Sequence, residues 1–146
     1  MLREGVMSRL LIRELERYYD PWNVEDESLE IIDINYVIAQ LPKAEPRMEL
    51  ADGLVVFMQE AFRCLQPGGS LTVRAPLASN PSAVADPLAT RYFNEGTFLH
   101  FAKPVDKEGL DWRWGKYGVD HGTRFNIVHI AEDGGHIVCT MEKPID

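Results

Sequence analysis

Asp86, Arg91 and Tyr92 are the residues whose types and spacing most readily suggest chemistry in this sequence. An aspartate five positions before an arginine, with a tyrosine beside it, offers a carboxylate, a forked guanidinium and an amphipathic ring. Such a set clamps a polar ligand or, more plainly, pins its own loop by a charge-assisted hydrogen bond; Asp86-Pro87 is an ordinary turn start, which favours pinning. A second group is the run DWRWGKYG, which gathers Trp112, Trp114 and Tyr117 with Arg113 and Lys116. Clusters of aromatics with arginine recur at protein–protein hot spots, and covering the open end of a sheet is an equally plain use. His129 and His136 are expected on one polar face of a terminal hairpin, near each other across its turn. Two imidazoles without a third and fourth ligand make a poor metal site, so they read as surface residues and no metal is expected. No Ser-His-Asp or Cys-His arrangement is suggested by spacing.

The composition limits what those residues can serve. The chain has 146 residues, 45% of them apolar and 10% aromatic, enough for one domain with a real core. Its formal charge is −8 and its pI about 5.0. A polyanion is repelled by that field, so nucleic acid is not the expected partner, despite Arg9, Arg13 and Arg17 near the start. Cys64 and Cys139 sit in apolar segments and read as buried, reduced thiols. No apolar run approaches the ~18 residues that span a bilayer, and no signal-peptide core opens the chain. These features predict a cytoplasmic protein with no membrane partner.

The elements that must position the candidates follow from periodicity. Residues 6–19 place Leu10, Leu11, Leu15 and Tyr18 at helical spacing, which predicts an amphipathic helix ending before Asp20-Pro21. The β-branched run from Ile31 to Val37 predicts a strand buried on both faces. A helix is expected over 47–66, with Leu50, Leu54, Met58, Phe62 and Leu65 inward and Asp52 among the outward residues. Pro67-Gly68-Gly69 stops it, and a strand over 70–75 follows. Residues 76–91 read as a long loop of the functional or mobile kind, and EGTFLHF as a short helix. The final segment predicts a hairpin turning at 133–135, with Val128, Ile130, Ile137, Cys139 and Met141 on its core side.

Residues 60–76, EAFRCLQPGGSLTVRAP, resemble the second half of class I S-adenosylmethionine-dependent methyltransferases, where a helix ends in a phrase like RVLKPGG and enters the fifth strand. WNVEDESLEIIDINYVIAQLP is similar to that family's PFEDNSFD-strand-HVLEHLP segment. DPLATRYFNEGTFLHF is similar to DPTHRRFFTPETFxYF of small, often phage-borne members. The resemblance covers Asp20 to Lys143. It implies a truncated Rossmann-like α/β fold built from the family's fourth, fifth, seventh and sixth strands: a roughly four-stranded mixed sheet with flanking helices and a C-terminal hairpin. Residues 1–19 would then be an added helix and 20–146 the methyltransferase-like part of a single domain.

The departures from the family pattern bear on function. Nothing before Asp20 resembles the family's Gly-rich turn or the acidic residue that holds the ribose, and Gly68-Gly69 follows a helix rather than a strand. Tyr36, Ala39 and Gln40 stand where the family commonly has His, Glu and His; Leu88 and Ala89 stand where it has Thr-His. The resemblance implies a pocket rim of Asp20, Trp22 and Tyr36 on the adenine side, the aromatics stacking on a base or simply covering a core edge, and Asp86, Arg91 and Tyr92 on the acceptor side. The expected protein is a non-catalytic methyltransferase-like module that binds a partner. The alternative is an active methyltransferase whose S-adenosylmethionine site is completed by a second copy or a partner chain. The strand over 31–37 would lose its neighbour, so the helix over 6–19 or a second copy is expected on that edge.

Overall fold

A computed structural model of the chain describes residues 9–12, 22–41, 52–101 and 123–145. Within these, the strands are β1 (Arg9–Ile12), β2 (Leu29–Asn35), β3 (Leu65–Pro76), β4 (Asn126–Asp133) and β5 (His136–Glu142). The helices are α1 (Gly53–Cys64), α2 (Pro81–Ala85) and α3 (Glu95–Leu99), with a one-turn 3₁₀ helix over Val37–Gln40. The strands form one mixed sheet in the order β1-β2-β3-β5-β4. β1, β2 and β3 run parallel, and β5 and β4 are antiparallel to their neighbours.

The sheet has five strands rather than four because residues 9–12 are a strand where the spacing predicts a helix. Their register is Arg9 to Ile31 through Ile12 to Ile34. Pairing satisfies the N–H and C=O groups that β2 would otherwise present along its edge, and this tertiary gain overrides a modest local helix preference. Arg9 Nε donates to Asp33 Oδ2 at 2.8 Å, tying the two strands on their outer face. The remainder of the segment over 6–19 lies outside the described residues. The edge of β2 is thus paired by β1 rather than covered by a helix.

α1 begins at Gly53 because Asp52 caps it: Asp52 Oδ1 accepts from the backbone N–H of Leu54 at 2.8 Å and of Val55 at 3.2 Å. Asp52 is thus a helix cap and not an outward residue of a longer helix. Leu54, Phe57, Met58, Ala61 and Cys64 face the core. The helix stops at Cys64 and Leu65 is already extended, so Pro67-Gly68-Gly69 lies inside β3 and not at the helix end.

Those three residues form a bulge in the β2–β3 ladder. Leu29 pairs with Leu65, the register shifts, and Ile31 pairs with Ser70. Gly68 has φ +85°, and a Cβ on Gly69 would lie 2.9 Å from both the Leu29 and Gln66 carbonyl oxygens. The end of β5 clasps the bulge: Gly68 N–H donates to the Lys143 carbonyl at 2.8 Å, and Lys143 N–H to that of Gly69 at 2.9 Å. Lys143 Nζ also donates to the Phe62 carbonyl at 2.8 Å, a cation placed on the last turn of α1.

The core lies on one face of the sheet. Ile32, Ile34, Leu71, Val73, Ala75, Ile137, Cys139 and Met141 join Phe57, Met58, Phe93, Phe98 and Phe125 in a single cluster. The other face carries Arg9–Asp33, a Thr72–Thr140 hydroxyl contact at 3.2 Å, Arg74 and Val138, all partly exposed. β2 is consequently buried on one face only, contrary to the two-sided burial predicted from its β-branched run: Ile31, Asp33 and Asn35 alternate outward. The terminal hairpin turns at Gly134 (φ 59°) and Gly135 (φ 83°), the paired left-handed residues of a type I′ turn. A bulge between Ile127 and His129 throws Val128 out of the ladder. Val128 is therefore exposed and is not a core residue, while Ile127 and Ile130 pack against the core. Cys64 and Cys139 are free and buried, and burial pushes their thiols up to about 11 and about 12.

Gly69→Ala forces a methyl group against two backbone carbonyls, which overpacking of this kind costs about 1–3 kcal/mol. The expected result is a lower denaturant midpoint with an unchanged m-value, measured by equilibrium unfolding.

Candidate functional site

The site lies beyond the carboxyl ends of the parallel strands, where α/β sheets ordinarily place their ligands. Tyr36, the first residue after β2, has φ 54° and ψ −43°, an unusual backbone for a residue with a Cβ. Two hydrogen bonds hold it there: its N–H donates to the Arg74 carbonyl at 2.6 Å and its carbonyl accepts from Ala39 N–H at 3.1 Å. Its ring meets His136 edge-on, with centroids 5.4 Å apart.

The opposite wall is the segment after β3, and it is firmly held. Asn80 caps α2 by accepting from Ser82 N–H at 3.0 Å and donates from Nδ2 to the Gly135 carbonyl at 2.9 Å. Leu77 N–H donates to the same carbonyl at 2.9 Å. Thr90 N–H donates to the Ala39 carbonyl at 2.8 Å, and its hydroxyl to that of Leu41. Arg91 Nε and a terminal nitrogen reach the Leu41 carbonyl at 3.1 and 3.0 Å. The guanidinium also bonds the Asp52 carboxylate at 3.2 and 3.4 Å. Arg91 thus fastens the loop to the N-terminus of α1, with its side chain only 11% exposed.

Between the walls is a cleft of about 90 Å³, lined by Tyr36, Ala39, Gln40, Pro76, Ser82, Ala83, Asp86, Ala89 and Arg91. Gln40 Nε2 donates to Asp86 Oδ2 at 3.1 Å, and Leu88 N–H to Asp86 Oδ1 at 2.9 Å. The Leu88 amide first, and Gln40 second, hold the Asp86 carboxyl below its usual range, so it is charged at neutral pH.

Of the residues singled out in the sequence, Tyr36, Asp86 and Arg91 line one cleft. Asp86 and Arg91 do not pair with each other: each has its own partner, Gln40 and Asp52. Tyr92 is exposed beside Arg91. Trp22 lies elsewhere, packed edge-on against Phe57 at 5.4 Å, with its backbone held by Glu60 and Arg63 near the end of α1 that leads into β3. Asp20, Trp112 and Trp114 lie outside the described residues. His129 pairs with Thr140, four residues along β5 from His136, or roughly 13 Å at the usual strand rise. The two imidazoles share a face without being neighbours. Gln40, Ser82 and Asp52 are not among the site residues expected from the sequence; Gln40 is flagged there only as a departure from the family pattern, and Asp52 carries the signal of a capping residue directly before an apolar run. Among the described residues no group of three or more His, Cys, Asp or Glu side chains is placed to hold a metal ion. No described helix is long and apolar enough to cross a membrane.

Among the described residues, this cleft does not fit S-adenosylmethionine. The sixteen residues 13–28 that follow β1 contain no glycine, so no Gly-rich cradle succeeds that strand. The cleft is far below the ~300 Å³ at which pockets for drug-sized ligands begin.

No protein-family model matches the sequence, and no curated protein sequence matches it. Solved structures do resemble the fold. The [4+2]-cyclase SpnF aligns over 86% of this chain and 53% of its own, with 12% identity and a TM-score of 0.50. A SAM-dependent methyltransferase from Methanosarcina mazei aligns over 91% and 67%, with 18% identity and a TM-score of 0.47. A SAM-dependent methyltransferase from Aquifex aeolicus aligns over 82% and 48%, with 15% identity and a TM-score of 0.43. The chain spans from about half to two thirds of the length of these structures. At such identities the likeness is one of fold alone, a Rossmann-like α/β architecture.

Arg91→Ala removes a part-buried cation from three acceptors. Hydrogen bonds to charged groups contribute about 1.5–3 kcal/mol, and a loss of that order in unfolding free energy is expected. A cycle with Asp52→Ala, read by denaturant unfolding, should give strong non-additivity.

Proposed function

We propose that this chain is a methyltransferase-like binding module that does not by itself assemble an S-adenosylmethionine site. One observation carries this reading: the parallel strands run β1-β2-β3 in a single direction. Doubly wound folds bind their cofactors where strand order reverses, because the connections before and after that point leave on opposite faces and open a crevice. No reversal occurs among these three strands. Sixteen residues separate β1 from β2, whereas two further parallel strands would each need a crossover of a dozen residues or more.

The correspondence with the second half of the class I fold belongs to the same proposal, as does the kinship of residues 86–101 with small phage-borne members. β2, β3, β5 and β4 answer to the family's fourth, fifth, seventh and sixth strands. β1 takes the place beside the fourth without the Gly-rich turn that follows the family's strand there. With that edge paired, the reason to expect a second copy on it is gone. Partner binding is assigned instead to the cleft end of the sheet.

Calorimetric titration of the purified chain with S-adenosylmethionine and S-adenosylhomocysteine, alongside its solution mass, tests this. The expected result is no saturable heat at millimolar ligand. A micromolar constant, about −8 kcal/mol, at one site per chain or per dimer would overturn the reading and point to a site completed in trans.

A further inference from the structure

The cleft has a chemical character that the fold alone does not demand. Six large apolar side chains are exposed among the described residues: Tyr36, Val84, Leu88, Tyr92, Val128 and Ile145. Four of these belong to one end of the sheet. Tyr36 lines the cleft, Val84 follows Ala83 in α2, Leu88 lies between Asp86 and Ala89, and Tyr92 follows Arg91. Val84, Leu88 and Tyr92 belong to the segment after β3 that is fastened through Asn80, Thr90 and Arg91, and Tyr36 stands on the facing wall. Apolar groups presented around a polar recess on a fixed loop mark a contact surface.

The recess itself selects for a cation. Arg91 lines it, but its guanidinium is engaged with Asp52 and the Leu41 carbonyl. Asp86 accepts hydrogen bonds only from uncharged donors, Gln40 and Leu88, and no cation pairs with it among the described residues. Because Gln40 points its Nε2 at Asp86, its Oε1 remains as an acceptor beside that carboxylate, and Ser82 adds a hydroxyl. An ammonium has three donors and no acceptor, which matches those oxygens in kind. The volume of about 90 Å³ equals roughly three waters, room for the end of one side chain. A net charge of −8 attracts a basic partner and speeds its approach.

Resting on the binding-module reading, we propose that this end of the sheet docks a protein segment presenting a lysine between apolar residues. The ammonium sits on Asp86, Gln40 and Ser82, its methylene stem lies over Ala39 and Ala83, and the flanking apolar side chains pack on the rim around Leu88 and Tyr92.

The test is a titration of the full, nitrogen-15-labelled chain with two capped tripeptides, Leu-Lys-Leu and Leu-norleucine-Leu, followed by NMR. The lysine peptide should move the Gln40 side-chain amide and the Leu88 backbone amide saturably. It should bind at least tenfold tighter than the norleucine peptide, and Asp86→Asn or, independently, Gln40→Met should abolish that preference. Equal binding of both peptides would overturn the cation site in favour of purely apolar docking. No shift of either signal at millimolar peptide would overturn the docking surface altogether. S-adenosylmethionine added to the same samples keeps the two readings apart: binding of the cofactor would defeat the binding-module reading whatever the peptides do, whereas silence from both defeats only the present inference.

Discussion

The parallel pairing of β1 with β2 is the constraint on which the rest of this structure depends. A strand of seven residues at the edge of a sheet, carrying Ile32 and Ile34 inward, exposes a row of unpaired backbone groups beside apolar side chains. Four residues of β1 remove that exposure and present a short edge instead, anchored by the Arg9–Asp33 ion pair. The same pairing fills the place next to β2 where a reversal of strand order would open a cofactor crevice. One local choice thus completes the sheet beside β2 and shortens its edge.

What remains at the carboxyl end of the sheet follows from how the chain leaves its two central strands. After β2 it turns through the left-handed backbone of Tyr36 into one turn of 3₁₀ helix, which brings Ala39, Gln40 and the Leu41 carbonyl up against the segment after β3. That segment is fixed by Thr90, by Arg91 and by the Asn80 contact with the hairpin turn. The result is a narrow recess lined by the charged carboxylate of Asp86 and the exposed ring of Tyr36, with exposed Val84, Leu88 and Tyr92 next in the chain to residues that line it. The Asp52–Arg91 pair gives the helix cap a second role, since the residue that starts α1 also holds the loop that shapes the recess.

Much of the architecture was legible in the sequence, and the failures share physical causes. The α1 stripe, the β3 alternation and the Gly134-Gly135 hairpin rest on local periodicity and turn chemistry, which act without the rest of the fold. Leu10 and Leu11 fit helical spacing, whereas the strand over 9–12 depends on the edge that β2 offers, a fact of tertiary structure. The β-branched run from Ile31 to Val37 marks a strand of either burial, and only the alternation of Asp33 and Asn35 with the isoleucines carries the one-sided burial of β2. Pro67-Gly68-Gly69 usually marks a helix end, while here it lies at the register shift between the Leu29–Leu65 and Ile31–Ser70 pairs. Tyr36, Asp86 and Arg91 line one cleft, and their partners His136, Gln40 and Asp52 lie far off in the chain. No spacing rule connects them.

The central claim is that residues 9–12 complete the sheet beside β2, and a nuclear Overhauser experiment on the labelled chain tests it most directly. The account predicts cross-strand contacts of Leu10 with Ile32 and of Ile12 with Ile34, together with slow hydrogen exchange along both sides of β2. A ladder of helical contacts between residues three apart across 9–12, with fast exchange on the outer side of β2, would contradict it.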